Sequence, residues 1–281
     1  MRKRFIICII VIFILFLLIG FDPRLEITNY TYKSAEIPSD FDGFKICQIS
    51  DLHCKNFGKD NQTLIAAIQE MNPDIVVLTG DIVDEDHDDL SSVENLFIRL
   101  QNLQIPTYFI TGNHELNESA ATQYAQLLNL METYQITNLD ERSETIAKGA
   151  TSIQITGGKW YSRYITNFLD PVKPDGFHIL LYHGADFFDL ISDYNYDLVL
   201  SGHIHGGVIR IPFLGTGVLG NTGDLFPKYT HGIYQNESKN CTMIVSRGLG
   251  DAAIPRFYNR PELVCITLRS DSLPSASPAQ E

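Results

Sequence analysis

Five short apolar runs in this chain stop on residues that bind metals. The run 44–50 ends on Asp51-Leu52-His53, 74–80 on Asp81, 107–112 on Asn113-His114-Glu115, 177–182 on His183, and 196–202 on His203-Ile204-His205. Carboxylate and imidazole together suit a borderline divalent ion such as Mn, Fe, Co or Zn. Asp51 and His53 are two apart, as are His203 and His205, a spacing that points both side chains the same way on an extended strand end. Gly80 and Gly112 precede Asp81 and Asn113 and allow close backbone approach. The mixed set of donors exceeds what one ion requires, and two ions bridged by a shared carboxylate would use all of it. An Asp after Gly, taken singly, is usually a turn or helix cap; five such junctions on Asp, Asn and His mark a site.

The elements that must position these residues are legible as patterns. Apolar β-branched runs bounded by turn residues read as buried strands, and rigid strand ends fix loop positions. Apolar residues at 64, 65, 68 and 71 predict a helix from Asp60 to Met71, and 93, 96, 97, 100 and 103 predict another from Leu90 to Leu103. Ser119 to Met131 predicts a third, with Tyr124, Leu127, Leu128 and Met131 on one face. With an edge strand at 25–32, the first half alternates strand and helix, the pattern of a mainly parallel sheet with covering helices. The second half holds short strands at 152–156, 177–182, 198–201, 208–211, 242–246 and 263–268, and one modest helix from about Asp186 to Asp193. That half predicts a second sheet packed on the first. No Gly-, Ser- or Pro-rich linker divides the halves, so the fold class is α/β in one domain over 44–269. The stretch 22–43 reads as tether and edge strand, and 270–281 as a disordered tail.

Composition narrows the function. The chain has 281 residues, a formal net charge of -13 and a pI near 5.0, which argues against broad binding to nucleic-acid backbone. Five cysteines, at 8, 47, 54, 241 and 265, form no CxxC pair and no disulfide framework; Cys54 reads as a bystander to the Asp51/His53 pair. His87 falls in an acidic run, 84–89, that reads as a solvated loop, His178 reads as an ordinary strand residue, and His231 reads as surface. Met1-Arg2-Lys3-Arg4 precedes an unbroken apolar stretch, 5–21, close to the ~17–25 residues that span a bilayer. Ile19-Gly20-Phe21-Asp22-Pro23 offers only a poor cleavage site, so an uncleaved signal anchor is expected. The positive-inside rule places the domain that follows on the extracytoplasmic side of the cell membrane.

Taken in order, Asp51-x-His53, Gly80-Asp81-x-x-Asp84, Gly112-Asn113-His114-Glu115, His183 and Gly202-His203-x-His205 resemble the signature of the calcineurin-like metallophosphoesterases, over about 41–268. Leu200-Ser201-Gly202-His203-Ile204-His205-Gly206-Gly207, Ser246-Arg247-Gly248-Leu249-Gly250, Pro255-x-Arg-Phe and Arg260-Pro261-Glu262-Leu263 resemble its YkuE/YaeI-type membrane-associated branch. That branch is also similar to bacterial enzymes that split UDP-diacylglucosamine. The resemblance implies a four-layer αββα sandwich of two mixed sheets and a centre of two divalent metal ions. By position, Asp51, His53, Asp81 and His205 would hold one ion; Asp81 as bridge, with Asn113, His183 and His203, would hold the other. His114 would be the catalytic acid, oriented by Asp84. The chain departs from the family in Glu115, where Asp is commoner, and in lacking a proline two residues after His183.

The chemistry so implied is phosphoester hydrolysis: two ions lower the pKa of a shared water and clamp phosphoryl oxygens for in-line attack, while His114 protonates the departing oxygen. Arg247 and Arg256 would add bidentate phosphate contacts or else form structural ion pairs. A non-catalytic scaffold of the same fold is the competing class, disfavoured because every ligand position carries a competent residue. A metalloprotease lacks its His-Glu-x-x-His helix. The anchor points to a lipid-linked or cell-envelope substrate, with Trp160-Tyr161-Ser162-Arg163-Tyr164 and the loop 212–226 as candidate walls of an apolar groove.

Overall fold

The structure is a computed structural model that describes residues 2–160, 169, 176–213, 215–220, 223–252 and 254–271. The disordered tail expected from 270 starts too early, since Ser270 still belongs to the last strand, Glu262–Ser270, which pairs along its whole length; residues 272–281, and Tyr161-Ser162-Arg163-Tyr164, lie outside the described residues.

Helix α1 (Arg2–Gly20) carries apolar side chains on every side and leaves nearly all of them exposed. It is the one helix among the described residues long and apolar enough to cross a membrane. The next elements are β1 (Glu26–Ser34), β2 (Lys45–Ile49), α2 (Gln62–Met71), β3 (Ile75–Thr79), α3 (Ser91–Asn102), β4 (Thr107–Ile110), α4 (Ala121–Thr133) and the short β5 (Thr137–Asn138). Then come β6 (Arg142–Lys148), β7 (Thr151–Gly158), β8 (His178–Gly184), α5 (Phe188–Ile191), β9 (Leu198–Gly202), β10 (Ile209–Arg210), β11 (Gly217–Leu219), β12 (Gly232–Asn236), β13 (Cys241–Val245) and β14 (Glu262–Ser270).

Two six-stranded mixed sheets result. Sheet 1 has the order β1-β14-β2-β3-β4-β5 and sheet 2 the order β12-β13-β9-β8-β7-β6, while β10 and β11 form a separate hairpin. Strand parity sorts the side chains into layers. Ile46, Val77, Ile110 and Val264 of sheet 1 meet Ile179, Leu181, Leu200 and Ile244 of sheet 2. The alternate residues of sheet 1, Cys47, Val76 and Leu78, face Leu64, Ile68, Leu96, Phe97 and Leu127 of α2, α3 and α4. Outside sheet 2, Leu180, Val199 and Met243 are covered by Phe188 and Ile191 of α5 and by loops. Each such side chain contributes about 1.5–3 kcal/mol when withdrawn from water. The αββα sandwich is therefore present, with a thin fourth layer.

Two expectations change. The last strand does not join sheet 2: β14 returns to sheet 1, antiparallel to β2 and parallel to β1, because Val264, Ile266 and Leu268 complete the apolar face between the sheets. Strand β1, at the sheet's edge, then pairs with it through nine residues. Strand β6 has no counterpart in the apolar pattern; Arg-Ser-Glu-Thr-Ile-Ala-Lys is mostly exposed at a sheet edge, where polar residues are the rule.

Candidate metal centre

All five junctions converge at one end of the sandwich. After β2 the backbone enters the left-handed region at Asp51 (φ 49°), His53 (φ 48°) and Cys54 (φ 53°); after β3 it does so at Asp81 (φ 53°), and after β9 at His203 (φ 75°) and His205 (φ 49°). Such conformations are uncommon outside glycine and cluster at functional sites. They correct the reading of the two-apart pairs: Asp51/His53 and His203/His205 converge through successive tight turns, not by alternation along extended strands. His183 lies inside β8, where the register against β9 shifts between Leu181 and Gly184, the kind of irregularity that re-aims a side chain. A Cβ on Gly112 would strike the Asp81 carboxylate and backbone, and one on Gly202 would strike Ser50 and Asp51. Only glycine lets these loops close on the acids.

The ligand atoms of Asp51, His53 and His205 all lie within 4.8 Å of one another, as do those of Asp81, His183 and His203, and those of His53, Asp81 and His114. Asp51 and His183 are fully buried, Asp81 is 1% exposed and His205 2%. Burial pushes the Asp51 carboxyl above its usual range. His183 is opposed by burial, but the charge and hydrogen bond of Asp81, with Asp51, hold it protonated up to about 10. His203 is driven down to about 3 by burial and by the charge on His183. Two deeply buried carboxyl groups share one imidazolium between them, since a charge is tolerable in a protein interior only when it is paired.

The imidazoles are oriented from behind. Asp84 Oδ2 lies 3.1 Å from His53 Nδ1, and the Thr79 carbonyl lies 2.7 Å from His183 Nδ1; each anchors an Nδ1 proton and turns Nε2 toward the centre, where the protonated His183 donates from Nε2 to Asp81 Oδ2 at 2.9 Å. Arg256 Nη2 donates to His205 Nδ1 (3.1 Å), so His205 Nε2 carries the proton and donates to His53 Nε2 at 3.2 Å. A cation between those rings would replace that proton, which makes binding proton-linked. Asn113 Oδ1 is buried without a hydrogen-bond partner among the described residues. The donor chemistry and this orphaned oxygen fit a divalent metal site.

The placement of the remaining residues revises several expectations. Asp84 does not orient His114; it is shared between His53 and His87 (Nδ1 2.7 Å). Glu85, the next residue, accepts from His114 Nδ1 at 2.7 Å and from Asn117 Nδ2 at 3.0 Å. Burial pushes the Glu85 carboxyl up, but the hydrogen bond and charge of His114 outweigh it and hold it low. Glu85 escapes a reading of the sequence because it sits in an acidic run that looks solvated. His87, assigned to that loop, does keep a half-exposed side chain. Glu115 is buried, with Oε2 accepting from the Asp81 and Gly112 amides and Oε1 from Ile82 and Val83; it ties the β3 and β4 loops together.

Neither arginine is available to a phosphate. Arg247 pairs with Glu262 at 2.9 Å and Glu26 at 3.2 Å, and Arg256 Nε and Nη1 donate at 2.8 Å to the Gly250 and Arg247 carbonyls. Both serve structure, since a buried guanidinium must be matched by fixed acceptors. Trp160 packs against the histidines, 4.8 Å from the His203 ring centroid and 5.6 Å from His183. His231 is half-buried rather than fully at the surface: Arg210 Nη2 donates to its Nε2 at 2.8 Å, and burial lowers it to about 4. Cys54 is buried, and burial pushes its thiol up to about 12. A cavity of about 650 Å³ opens over the centre, walled by His53, His205, His114, His87, Glu85 and Lys55. No described residue of the loop 212–226 lines it.

Comparison with known proteins gives the same family. The chain is 34% identical over 257 residues to an uncharacterized metallophosphoesterase, YkuE, of Bacillus subtilis, covering 88% of this chain and 86% of that one. It is 23% identical over 297 residues to the UDP-2,3-diacylglucosamine pyrophosphatase LpxG of Chlamydia muridarum, covering 86% and 88%. Among solved structures, TT1561 of Thermus thermophilus superposes with a TM-score of 0.47 at 13% identity, over 74% of this chain and 90% of that one. The calcineurin-like phosphoesterase family matches residues 44–207, a span that contains all seven candidate metal ligands and His114, and the chain belongs to that family.

Proposed function

We propose that this chain is a phosphoesterase of the phosphodiesterase or pyrophosphatase type that uses two divalent ions, Mn, Fe, Zn or Co. The convergence of three overlapping donor groups on one buried pole carries the reading. Asp51, His53, Asp81 and His205 would hold one ion, and Asp81, Asn113, His183 and His203 the other. Bound there, the ions supply Lewis acidity toward phosphoryl oxygens and activate water. The chain's own residues do the rest. Asp84 and the Thr79 carbonyl orient His53 and His183 with Nε2 toward the centre, and His183 would give up its Nε2 proton on binding an ion. With Nδ1 on Glu85, His114 has Nε2 left to protonate the departing oxygen. Trp160 limits water around His183 and His203.

The α1 helix favours a membrane or cell-envelope phosphoester, with the domain on the extracytoplasmic side. A nucleotide-lipid pyrophosphatase acting on a UDP-diacylglucosamine-type substrate is the second reading, favoured by the LpxG relative; the charge bias at α1 weighs against it where such a substrate is cytoplasmic. The test is bis(p-nitrophenyl) phosphate hydrolysis by full-length protein with added Mn²⁺, beside metal analysis. Turnover that is lost in Asp81→Ala and His114→Ala supports the reading. Full activity in both variants sinks the residue assignment, and protein that binds no metal and turns over nothing is a scaffold.

A further inference from the structure

A second cavity, of about 360 Å³, adjoins the one over the metal centre. Both fall near the ~300–1,000 Å³ usual for ligand sites. Its apolar walls are Phe21, Pro23, Ala252, Pro255 and Pro261. Lys55, Asp251 and Ala252 line both cavities, so the two adjoin at a waist formed by these three residues. At the waist Lys55 Nζ meets Asp251 Oδ1 at 2.6 Å, and Lys55 is the one Lys or Arg among the described residues lining the metal cavity.

The second cavity is walled on one side by the exit of α1, at Phe21 and Pro23. Phe16 and Phe21 pack on Phe257 with ring centroids 5.5 and 4.9 Å apart, Tyr258 N donates to Gly20 O at 2.6 Å, and Tyr258 Oη to Phe16 O at 3.1 Å. A Cβ on Gly20 would enter the Phe257 ring, so the helix end is seated closely. The β10–β11 hairpin hangs on the same segment through the Ile209–Phe257 bridge and, with the loops beside it, exposes Phe213, Leu225 and Phe226.

Resting on the phosphoesterase reading above, we propose that this annex is the subsite for the apolar stem of an amphiphilic phosphoester. The phosphoryl group lies at the metal centre, Lys55 stands beside it at the waist, and the hydrocarbon stem runs along Ala252, Pro255 and Pro23 toward the base of α1. A helix that leaves a bilayer at Gly20 sets the annex at the membrane surface, where such a substrate enters stem-side without leaving its leaflet.

The test compares bis(p-nitrophenyl) phosphate with p-nitrophenyl octyl phosphate, hydrolysed by full-length protein in nanodiscs with Mn²⁺. The native chain should favour the octyl ester in kcat/KM by at least about tenfold, through KM, since two buried methylenes already approach that factor. Pro23→Trp and Pro255→Trp, on separate segments, should each reduce that ratio about tenfold, with thermal melts establishing that each is folded. A ratio near one in the native chain overturns the subsite while leaving the phosphoesterase reading intact. A ratio kept in both folded variants also overturns it and assigns the preference to bilayer partitioning. If the metal-loaded chain hydrolyses neither ester, the phosphoesterase reading falls and the subsite with it.

Discussion

Sheet 1 and sheet 2 reach the same pole with different chemistry. Sheet 1 delivers the candidate oxygen ligands, Asp51, Asp81 and Asn113, with His53 as its one imidazole among the seven, while sheet 2 delivers only nitrogen, from His183, His203 and His205. Neither half holds the full donor set proposed for an ion, so the centre requires the sheets to dock. The seam is stitched directly beneath it. Gln48 Nε2 of β2 donates to Ser201 O of β9 at 2.9 Å, the His203 amide donates to Asp51 Oδ1 at 2.9 Å, and His183 Nδ1 meets Thr79 O at 2.7 Å. Folding and the proposed metal binding would therefore draw on the same contacts, and a change on one sheet would be felt by side chains on the other.

Replacing the acid that faces both donor groups should do most. Asp81→Ala should lower kcat/KM about 10⁴-fold or more, several kcal/mol of lost charge stabilisation, and metal analysis should show less bound ion. Equal metal content and activity would end the division of labour between the sheets. His114→Ala should reduce kcat by about 10²–10⁴-fold with metal retained, and Glu85→Gln should follow in the same direction more weakly. If Asp84→Asn instead mimics His114→Ala with metal unchanged, the Glu85 pairing is wrong.

Away from the pole, the Glu262–Arg247 pair tests whether sheet 1's outer strands are held by charge. Glu262→Ala leaves a buried guanidinium and should cost about 3–5 kcal/mol in denaturant unfolding, with kcat of the folded fraction little changed. Burial opposes the Glu262 carboxylate, but the charge of Arg247 outweighs it and its folded pKa lies below the ordinary value. Its contribution is therefore full above the unfolded carboxylate range near ~4.3 and is lost as pH falls through the lower folded value. The stability gap between native chain and Glu262→Gln should shrink below about pH 4; a gap that grows there refutes the ion pair. The smallest effect is expected for Asp84→Asn, about 10–100-fold in metal affinity by titration, acting through His53 of sheet 1 while sheet 2's histidines stay in place.

Much of this is legible in the chain itself. The β3 run 75–79 and the helical stripe of 93, 96, 97 and 100 announce themselves because burial on one or both faces forces apolar periodicity. The seven candidate ligands are legible because metals demand particular donors, and strand ends hold them. Other features leave no local trace. Strand β14 could sit in either sheet by pattern, and only the open position between β1 and β2 settles it. Asp84 and Glu85 are adjacent acids, and only the path of the loop after the left-handed turn at Asp81 determines which meets His53 and which meets His114. Arg247 and Arg256 look like phosphate ligands until Glu262 and the carbonyls of 247 and 250 are brought against them.

Residue type and order carry the family, the candidate ligand set and the apolar helix before the domain, because each rests on chemistry held in a side chain or in a run of neighbours. The pairings and the spaces come from the packed molecule alone. Which carboxylate orients which imidazole, which arginine is already engaged, and the nearness of the α1 exit to the cavity over the candidate metal centre, across Lys55, Asp251 and Ala252, all depend on distances between residues far apart in the chain. Those distances are set by how two sheets pack, which no local pattern encodes.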